Sequence, residues 1–265
     1  MSAERLHGWQ LAGLVAIFVT SIAATGRAGP PYVTDDPEPV DYQHWEVYLA
    51  TLPVHDKDGW TATAPHFEVN YGAAPNLQLH VIAPLTYAAP AHGPVAYGYG
   101  DTELGAKYRF VDEHAWTPMI GTFPLVEVPT GSKAKGTGNG STQIFVPFWV
   151  QKSFGDWTTY GGWGVWFDTG NADRHWWYFG WLLQREFFDK WTIGAELYHT
   201  TPERAGEDSD TRFNIGTTLD ITDNHHLMLS AGRSIVGPCL FQGYFAYQLT
   251  FGPWPGKAPK GPGEA

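Results

Sequence analysis

Between Tyr42 and Gly252 the chain alternates apolar and polar residues with a period of two, in runs bounded by Gly, Pro, Asn and Asp. A β-strand sends successive side chains to opposite faces, so this rhythm predicts half-buried strands rather than helices. About twelve segments fit it: 42–52, 60–72, 76–87, 100–111, 116–129, 141–154, 157–168, 174–187, 191–200, 210–221, 225–235 and 240–251. Each is near the roughly nine to eleven residues with which a tilted strand crosses a bilayer. An even count is expected of single-chain bacterial barrels.

The connections support the same architecture, because short and long ones alternate. Short turns are predicted at 73–75, 112–115, 155–156, 188–190 and 222–224. Longer loops are predicted at 53–59, 88–99, 130–140, 169–173 and 201–209, with a briefer one at 236–239. In a membrane barrel the short turns face the periplasm and the long loops face outside, which puts both termini on the periplasmic side.

Alternation also assigns faces. Trp45/Val47/Leu49, Leu77/Leu79/Val81, Ile144/Val146/Phe148/Val150, Trp177/Phe179/Trp181/Leu183 and Phe213/Ile215/Leu219 are outward sets. The polarity is expected inside, where Glu46, Glu68, Glu103, Lys107, Arg109, Glu127, Glu186, Glu196, Arg212 and Arg233 form a candidate lumen of mixed sign. Such charges either pair across a closed interior or line a polar path that selects solutes, since an unpaired buried charge is costly. Around the short turns Tyr71, Phe110, Trp116, Phe154, Trp157, Phe187 and Trp191 are expected to form an aromatic girdle at the membrane boundary. Two outward cations, Lys152 and Arg185, stand two residues before girdle aromatics, within reach of lipid phosphates.

Composition adds the compartment. Arg5 and His7 precede an apolar stretch from Leu11 to Ala24, and Ala23, Ala24, Gly26 and Ala28 close it. This is the pattern of a cleaved secretory signal peptide over residues 1–28, too short for the roughly 20 residues of a membrane helix. The formal net charge of −11, more negative once that segment is removed, argues against nucleic acid as a partner. One cysteine, Cys239, rules out an internal disulfide framework and a cysteine-built metal site. A mean hydropathy of −0.26 fits a barrel, whose strands place only alternate side chains in lipid.

Candidate chemistry is sparse, and neither a cofactor nor a metal is expected. The adjacent His225 and His226 point to opposite faces of a strand, while His44, His66 and His80 share a predicted inner face. His226 and Ser230 share a face but are separated by about 13 Å at roughly 3.3 Å per residue, too far for a nucleophile and its base. Residues 131–140, GSKAKGTGNG, lack the GK[ST] ending of a phosphate loop and are expected to form an external loop.

The stretches GPPYVTDDPEPVDYQHWEVYLA, GDTELGAKYRF, FPLVEVPTG, WVQKSFGDWTTYGGWG and GAELYHTT, in this order, resemble the outer-membrane proteins linked to meta-pathway phenol degradation and to transport. The likeness runs from Gly29 to Pro253. It implies a membrane barrel concerned with uptake of hydrophobic or aromatic compounds, and it supplies no catalytic residues. It also singles out Thr34-Asp35-Asp36-Pro37-Glu38-Pro39, which either plugs the lumen from the periplasmic side or stays solvated. Phe251 is followed by a Pro/Gly-rich tail rather than ending the chain, unlike common outer-membrane strands.

The expectation is therefore an all-β, transmembrane, antiparallel up-and-down barrel of about twelve strands with an N-terminal signal peptide. Its parts are the signal peptide (1–28), an acidic leader or plug (29–41), the barrel (42–252) and the tail (253–265). Its partners are outer-membrane lipid, the barrel assembly machinery and a small hydrophobic or aromatic solute. The expected role is passive passage, not catalysis, in the outer membrane of a Gram-negative cell. A soluble periplasmic β-sandwich that binds carbohydrate through tryptophans, and an outer-membrane lipid hydrolase, are the competing readings.

Overall fold

The computed structural model describes residues 30–170, 175–203 and 206–253. The segment expected to be a signal peptide and nearly all of the tail lie outside those residues. Fourteen strand segments follow in chain order: β1 (Trp45–Asp56), β2 (Gly59–Ala74), β3 (Leu77–Pro90), β4 (Ala96–Tyr99), β5 (Thr102–Val111), β6 (Met119–Thr122), β7 (Leu125–Val128), β8 (Gln143–Phe154), β9 (Trp157–Asp168), β10 (His175–Phe187), β11 (Trp191–Thr200), β12 (Asp210–Thr222), β13 (His225–Val236) and β14 (Phe241–Phe251). All named-strand pairings are antiparallel, and β1 pairs β14 from Trp45↔Phe251 to His55↔Phe241, so the sheet is closed on itself.

The fourteen segments make twelve staves. The segments β4 and β5 both pair β3, and β6 and β7 both bridge β5 to β8, so each couple is one stave with a break in it. The break in the second couple falls at Phe123-Pro124, where proline cannot donate to the ladder. Substitutes fill in: Ala106 N donates to Pro124 O at 3.2 Å, and Thr122 Oγ1 donates to Pro147 O at 2.6 Å. At the first break Gly100 N donates to Pro84 O at 2.9 Å.

Several strand ends differ from the sequence expectation. The first strand begins at Trp45, because Gln43 adopts a left-handed φ of 64° that breaks the ladder. The loop expected at 53–59 is instead a two-residue turn, Lys57-Asp58, closed by Asp56 Oδ1 accepting from Asp58 N at 2.7 Å and Gly59 N at 3.1 Å. Conversely, the short turn expected at 112–115 extends to 118, and Trp116 lies in it, 97% exposed, rather than on a strand. The other short connections remain tight. At 187–190, Phe188 and Asp189 both have positive φ (57° and 55°), the backbone of a type I′ turn suited to twisted hairpins.

The barrel is inside-out relative to a soluble domain. Leu49, Phe67, Leu79, Trp163, Phe179, Trp181, Leu197, Ile215 and Phe245 are exposed on the outer face, while Glu68, Gln78, Lys107, Gln151, Gln184, Glu196, Asn214 and Gln248 are buried inside. An apolar outer surface this extensive is far beyond what soluble monomers show. At the end carrying the short turns, Tyr71 packs on Trp45 (ring centroids 4.3 Å), and Trp45 stacks on Phe251 at 6.4 Å. Phe110 lies 6.0 Å from Phe148, and Phe154, Trp157, Phe187 and Trp191 occupy the same rim. Arg185 is held over the Trp157 and Phe187 rings at 5.4 and 4.9 Å, while Lys152 pairs with Glu113 at 2.7 Å.

Detergent-folded protein is expected to migrate differently on a gel before and after boiling, and buried Cys239 to react with maleimide only after boiling. Identical migration of heated and unheated samples, with Cys239 reactive in both, would contradict a closed wall.

Candidate functional site: the lumen and its leader

The strongest organising feature of the interior is the segment ahead of β1. Residues 31–40 lie within the barrel, and backbone and side chains meet six inner-wall strands. Val40 N donates to Gln78 Oε1 on β3 (2.9 Å), and Gln151 Nε2 on β8 donates to Glu38 Oε2 (3.0 Å). Lys107 Nζ on β5 donates to Asp35 Oδ1 (2.8 Å) and Asp36 Oδ2 (3.4 Å). Glu196 on β11 accepts from the amides of Val33 (3.0 Å) and Thr34 (2.7 Å), and the Thr34 hydroxyl bonds the Tyr178 hydroxyl on β10 at 2.8 Å. Ser230 Oγ on β13 donates to Pro31 O at 2.6 Å.

The wall is shaped to admit this segment. A Cβ on Gly180 would stand 2.5 Å from Thr34 Oγ1, one on Gly194 2.6 Å from Tyr32 OH, and one on Gly121 2.9 Å from Pro37 Cβ. These glycines therefore remove side chains where the leader passes, a positional use of glycine in strands. Thr34 and Asp36 are fully buried as a result. Burial pushes the Asp36 and Glu38 carboxyls above the usual carboxylate range.

Nine of the ten expected lumen residues sit on the inward faces of their strands, and one does not. Glu46 accepts from Tyr48 OH at 2.7 Å. Glu68 accepts from Asn70 and lies 3.6 Å from both His66 and His80, and His80 in turn meets Glu103 at 2.9 Å. Arg109 pairs with Asp112 at 2.8 Å, Glu127 accepts from Asn139 Nδ2 at 3.0 Å, and Arg212 pairs with Asp210 at 2.7 Å. Glu186 follows Gln184 on the inner face of β10, at the short-turn rim. Arg233 is the correction: on β13 the inward residues are His226, Met228 and Ser234, and Arg233 is exposed on the outer face with Leu229 and Ile235. It sits near the loop end of the strand, where a long cation reaches water from the outer wall. His44 does not join His66 and His80. It stays before β1 and bonds Tyr42 O at 3.1 Å.

Counting charges missed a second component. Inward positions of β8 to β11 carry Phe145, Trp149, Trp166, Trp176, Tyr178 and Tyr198, with Phe123 and Leu125 from the second split stave. Phe145 stacks on Trp166 at 4.7 Å, Trp166 on Trp176 at 5.8 Å and Tyr178 on Tyr198 at 5.8 Å. The signal was available: the parity that sends Ile144 and Val146 outward sends Phe145 inward. The lumen thus has an aromatic arc facing a charged arc, with the leader between them.

No family model and no curated protein matches the chain. Solved structures do. An outer-membrane channel from Pseudomonas putida F1 superposes with a TM-score of 0.66 at 15% identity, covering 82% of this chain and 98% of that one. KdgM porin gives 0.55 at 14% identity, covering 78% and 99%. The translocator domain of the autotransporter NalP from Neisseria meningitidis gives 0.51 at 10% identity, covering 78% and 87%. At these identities the similarity is one of fold.

Replacing Lys107 with Met leaves the carboxylates of Asp35 and Asp36 without their cation, and removing one partner of a buried pair costs roughly 3–5 kcal/mol. In a Cys239→Ser background with a spin label on Val33→Cys, the label is expected to be restrained in the parent and mobile in the Lys107→Met variant. An unchanged spectrum would show that Lys107 does not hold the leader. The docked leader also binds protons at Asp36 and Glu38 more tightly than a free one. The part of the docking energy that these two groups contribute is therefore fully present below the ordinary carboxylate range and is lost as pH rises above it. The same label should gain mobility as pH rises above the ordinary carboxylate range of about 4, and a loss of mobility on that rise would reverse the sign of the coupling.

Proposed function

We propose that this protein is an outer-membrane channel for passive entry of small aromatic or otherwise apolar solutes, with the leader as the plug that sets how freely they pass. The observation that carries the reading is the aromatic arc inside the wall. Rings at Phe145, Trp166, Trp176, Tyr178 and Tyr198 cost solubility and closure nothing if placed outside, yet they line the interior beside polar groups. The rings pack against one another, and Tyr178 also meets the leader, so a flat solute that displaces the leader would replace contacts worth about 0.5–1.5 kcal/mol each beyond burial.

Three further observations point the same way. The outer face is apolar around the whole barrel, which suits lipid. The residues 1–28 pattern routes the chain for export. The ordered sequence resemblance is to outer-membrane proteins linked to phenol degradation, and among the fold neighbours are an outer-membrane channel and a porin. Twelve staves fall between eight-stranded barrels, which side chains fill, and the 16 to 18 that leave a wide channel. The leader takes up that intermediate space.

The reading is tested in liposomes. Vesicles bearing the full chain should admit phenol-sized polar aromatics above the empty-vesicle rate. A variant lacking residues 30–41 should conduct ions severalfold better than the full chain. Neither solute entry nor conductance above empty vesicles, in protein that still shows a folded barrel on a gel, would leave a purely structural barrel as the remaining description.

A further inference from the structure

The mouth of the barrel at the long-loop end is divided by the connection 129–142, which joins β7 to β8. Beneath it lies a cavity of about 650 Å³, lined by Thr61, Ile82, Glu103, Lys133 and Gly136 among others. A second cavity, of about 710 Å³, is lined by Asp58, Thr61, Pro90, His92, Tyr97 and Gly136 among others. Gly136 and Thr61 belong to both linings, so the tip of the connection is a thin partition with one space on each side. The connection is fastened at its base. Asp101, at the break between β4 and β5, accepts from Gly131 N at Oδ1 (2.9 Å) and from Asn139 N at Oδ2 (2.6 Å), so one carboxylate cinches both limbs. The limbs touch there, since a Cβ on Gly131 would stand 2.9 Å from Gly138 Cα. Beyond the base the hydrogen bonds are internal: Ser132 N donates to Thr137 Oγ1 (3.0 Å), Thr137 N to Ser132 O (3.0 Å) and Gly136 N to Lys133 O (3.1 Å). Among the described hydrogen bonds and ion pairs, none links residues 132–138 to β1, β2 or β3. The tip only rests on that wall, where a Cβ on Gly136 would stand 3.6 Å from Ala88 Cβ.

We propose that residues 129–142 form an outer gate: the mouth is narrow while Gly136 rests on Ala88 and widens when the tip lifts away and joins the two cavities. The inference rests on the channel reading and adds a second barrier in series with the leader, with the cavity beneath the connection as the chamber between them. The distribution of contacts decides where the movement occurs. Lifting the tip gives up van der Waals contact alone, which is weak atom by atom. Releasing the base would strip two amides of a charged acceptor, a far stronger attachment. The internal hydrogen bonds keep the tip a single body, so the backbone change falls on the few residues next to the base, as in other loop closures. Gly131, Gly138 and Gly140 stand there, and Gly140 already has a φ of 81°, a conformation in which only glycine is at ease. A space of this volume matches sites that hold one small molecule. A solute can therefore pass the outer gate and wait in the chamber before the leader yields, so neither barrier has to open at the same moment as the other.

Two measurements test the gate, both on the full chain with Cys239→Ser. The pair Ala88→Cys/Gly136→Cys has the Cβ separation of roughly 3.5–4.5 Å that a disulfide needs. It should oxidise in the folded barrel, and vesicles bearing the oxidised protein should pass ions and a neutral pentose severalfold more slowly than the same vesicles after reduction. Independently of transport, Ile82→Cys places a thiol in the chamber. A trimethylammonium-bearing methanethiosulfonate should label it severalfold faster when Asp101→Ala is added, with Asp101→Asn, which keeps one acceptor, in between. Heat-modifiable migration on a gel confirms that each variant retains its barrel. A pair that fails to oxidise in folded protein would overturn the contact between tip and wall. Equal passage in the oxidised and reduced states would overturn the connection as a barrier. Equal labelling with and without Asp101 would overturn Asp101 as its fastening. No passage in either state, with labelling still faster in Asp101→Ala, would overturn the channel reading and leave the moving connection standing.

Discussion

Closure of the backbone ladder between β1 and β14 is the constraint on which everything else rests. A wall whose outer face is Trp, Phe, Leu, Ile and Val cannot leave amides and carbonyls open to apolar surroundings, where each unsatisfied group costs several kcal/mol. A closed sheet has no edge, so the requirement is met all the way round. The places where proline breaks the ladder are informative for this reason. At Pro84, Pro124 and Pro147 the exposed carbonyls take up an amide from a neighbour or the hydroxyl of Thr122. The wall tolerates prolines because local donors replace what they remove.

Closure fixes the interior as a second consequence. With apolar side chains spent outside, polar ones converge on a narrow space and must satisfy each other there. The leader is part of that accounting. Glu196 is bonded by two leader amides and Asn214, and Lys107 is neutralised by two leader carboxylates. Without residues 31–40 Lys107 would lose both carboxylates that contact it, and Glu196 would keep Asn214 but lose two backbone donors. The barrel and leader are therefore one electrostatic unit, and mobility of the leader is tied to what replaces its charges.

The outward sets and the rim aromatics other than Trp116 were legible in the sequence because each depends on parity within one strand. What depended on distant residues was not. The leader's burial arises from partners as far apart in sequence as Pro31 and Ser230, and nothing local in Thr34-Asp35-Asp36 announces Lys107 or Glu196. Arg233 was misassigned because its charge was weighed above its parity. Ser234 is the inward residue there, and its hydroxyl donates to Asp210 Oδ1 at 2.6 Å. The turn at Lys57-Asp58 was hidden for another reason. Pro53 reads as a loop signal, yet both strands continue past it to the two carboxylate-capped amides at Asp58 and Gly59.

The inner aromatics were missed although their parity was plain, and the reason bears on how such barrels are read. Alternation is usually scored as apolar outside and polar inside, so a strand such as IFVPFWVQ, apolar on both faces, reads as an especially good membrane strand. It is better read as two statements. Ile144, Val146, Phe148 and Val150 meet the surroundings, whereas Phe145 and Trp149 meet the lumen. Their arrangement in register with Trp166 and Trp176, one layer below Glu103 and Glu127, makes the inner wall chemically two-sided. The register that closes the barrel also stacks these two layers, so the chemistry of each level of the inner wall follows from the same pairing that holds the wall together.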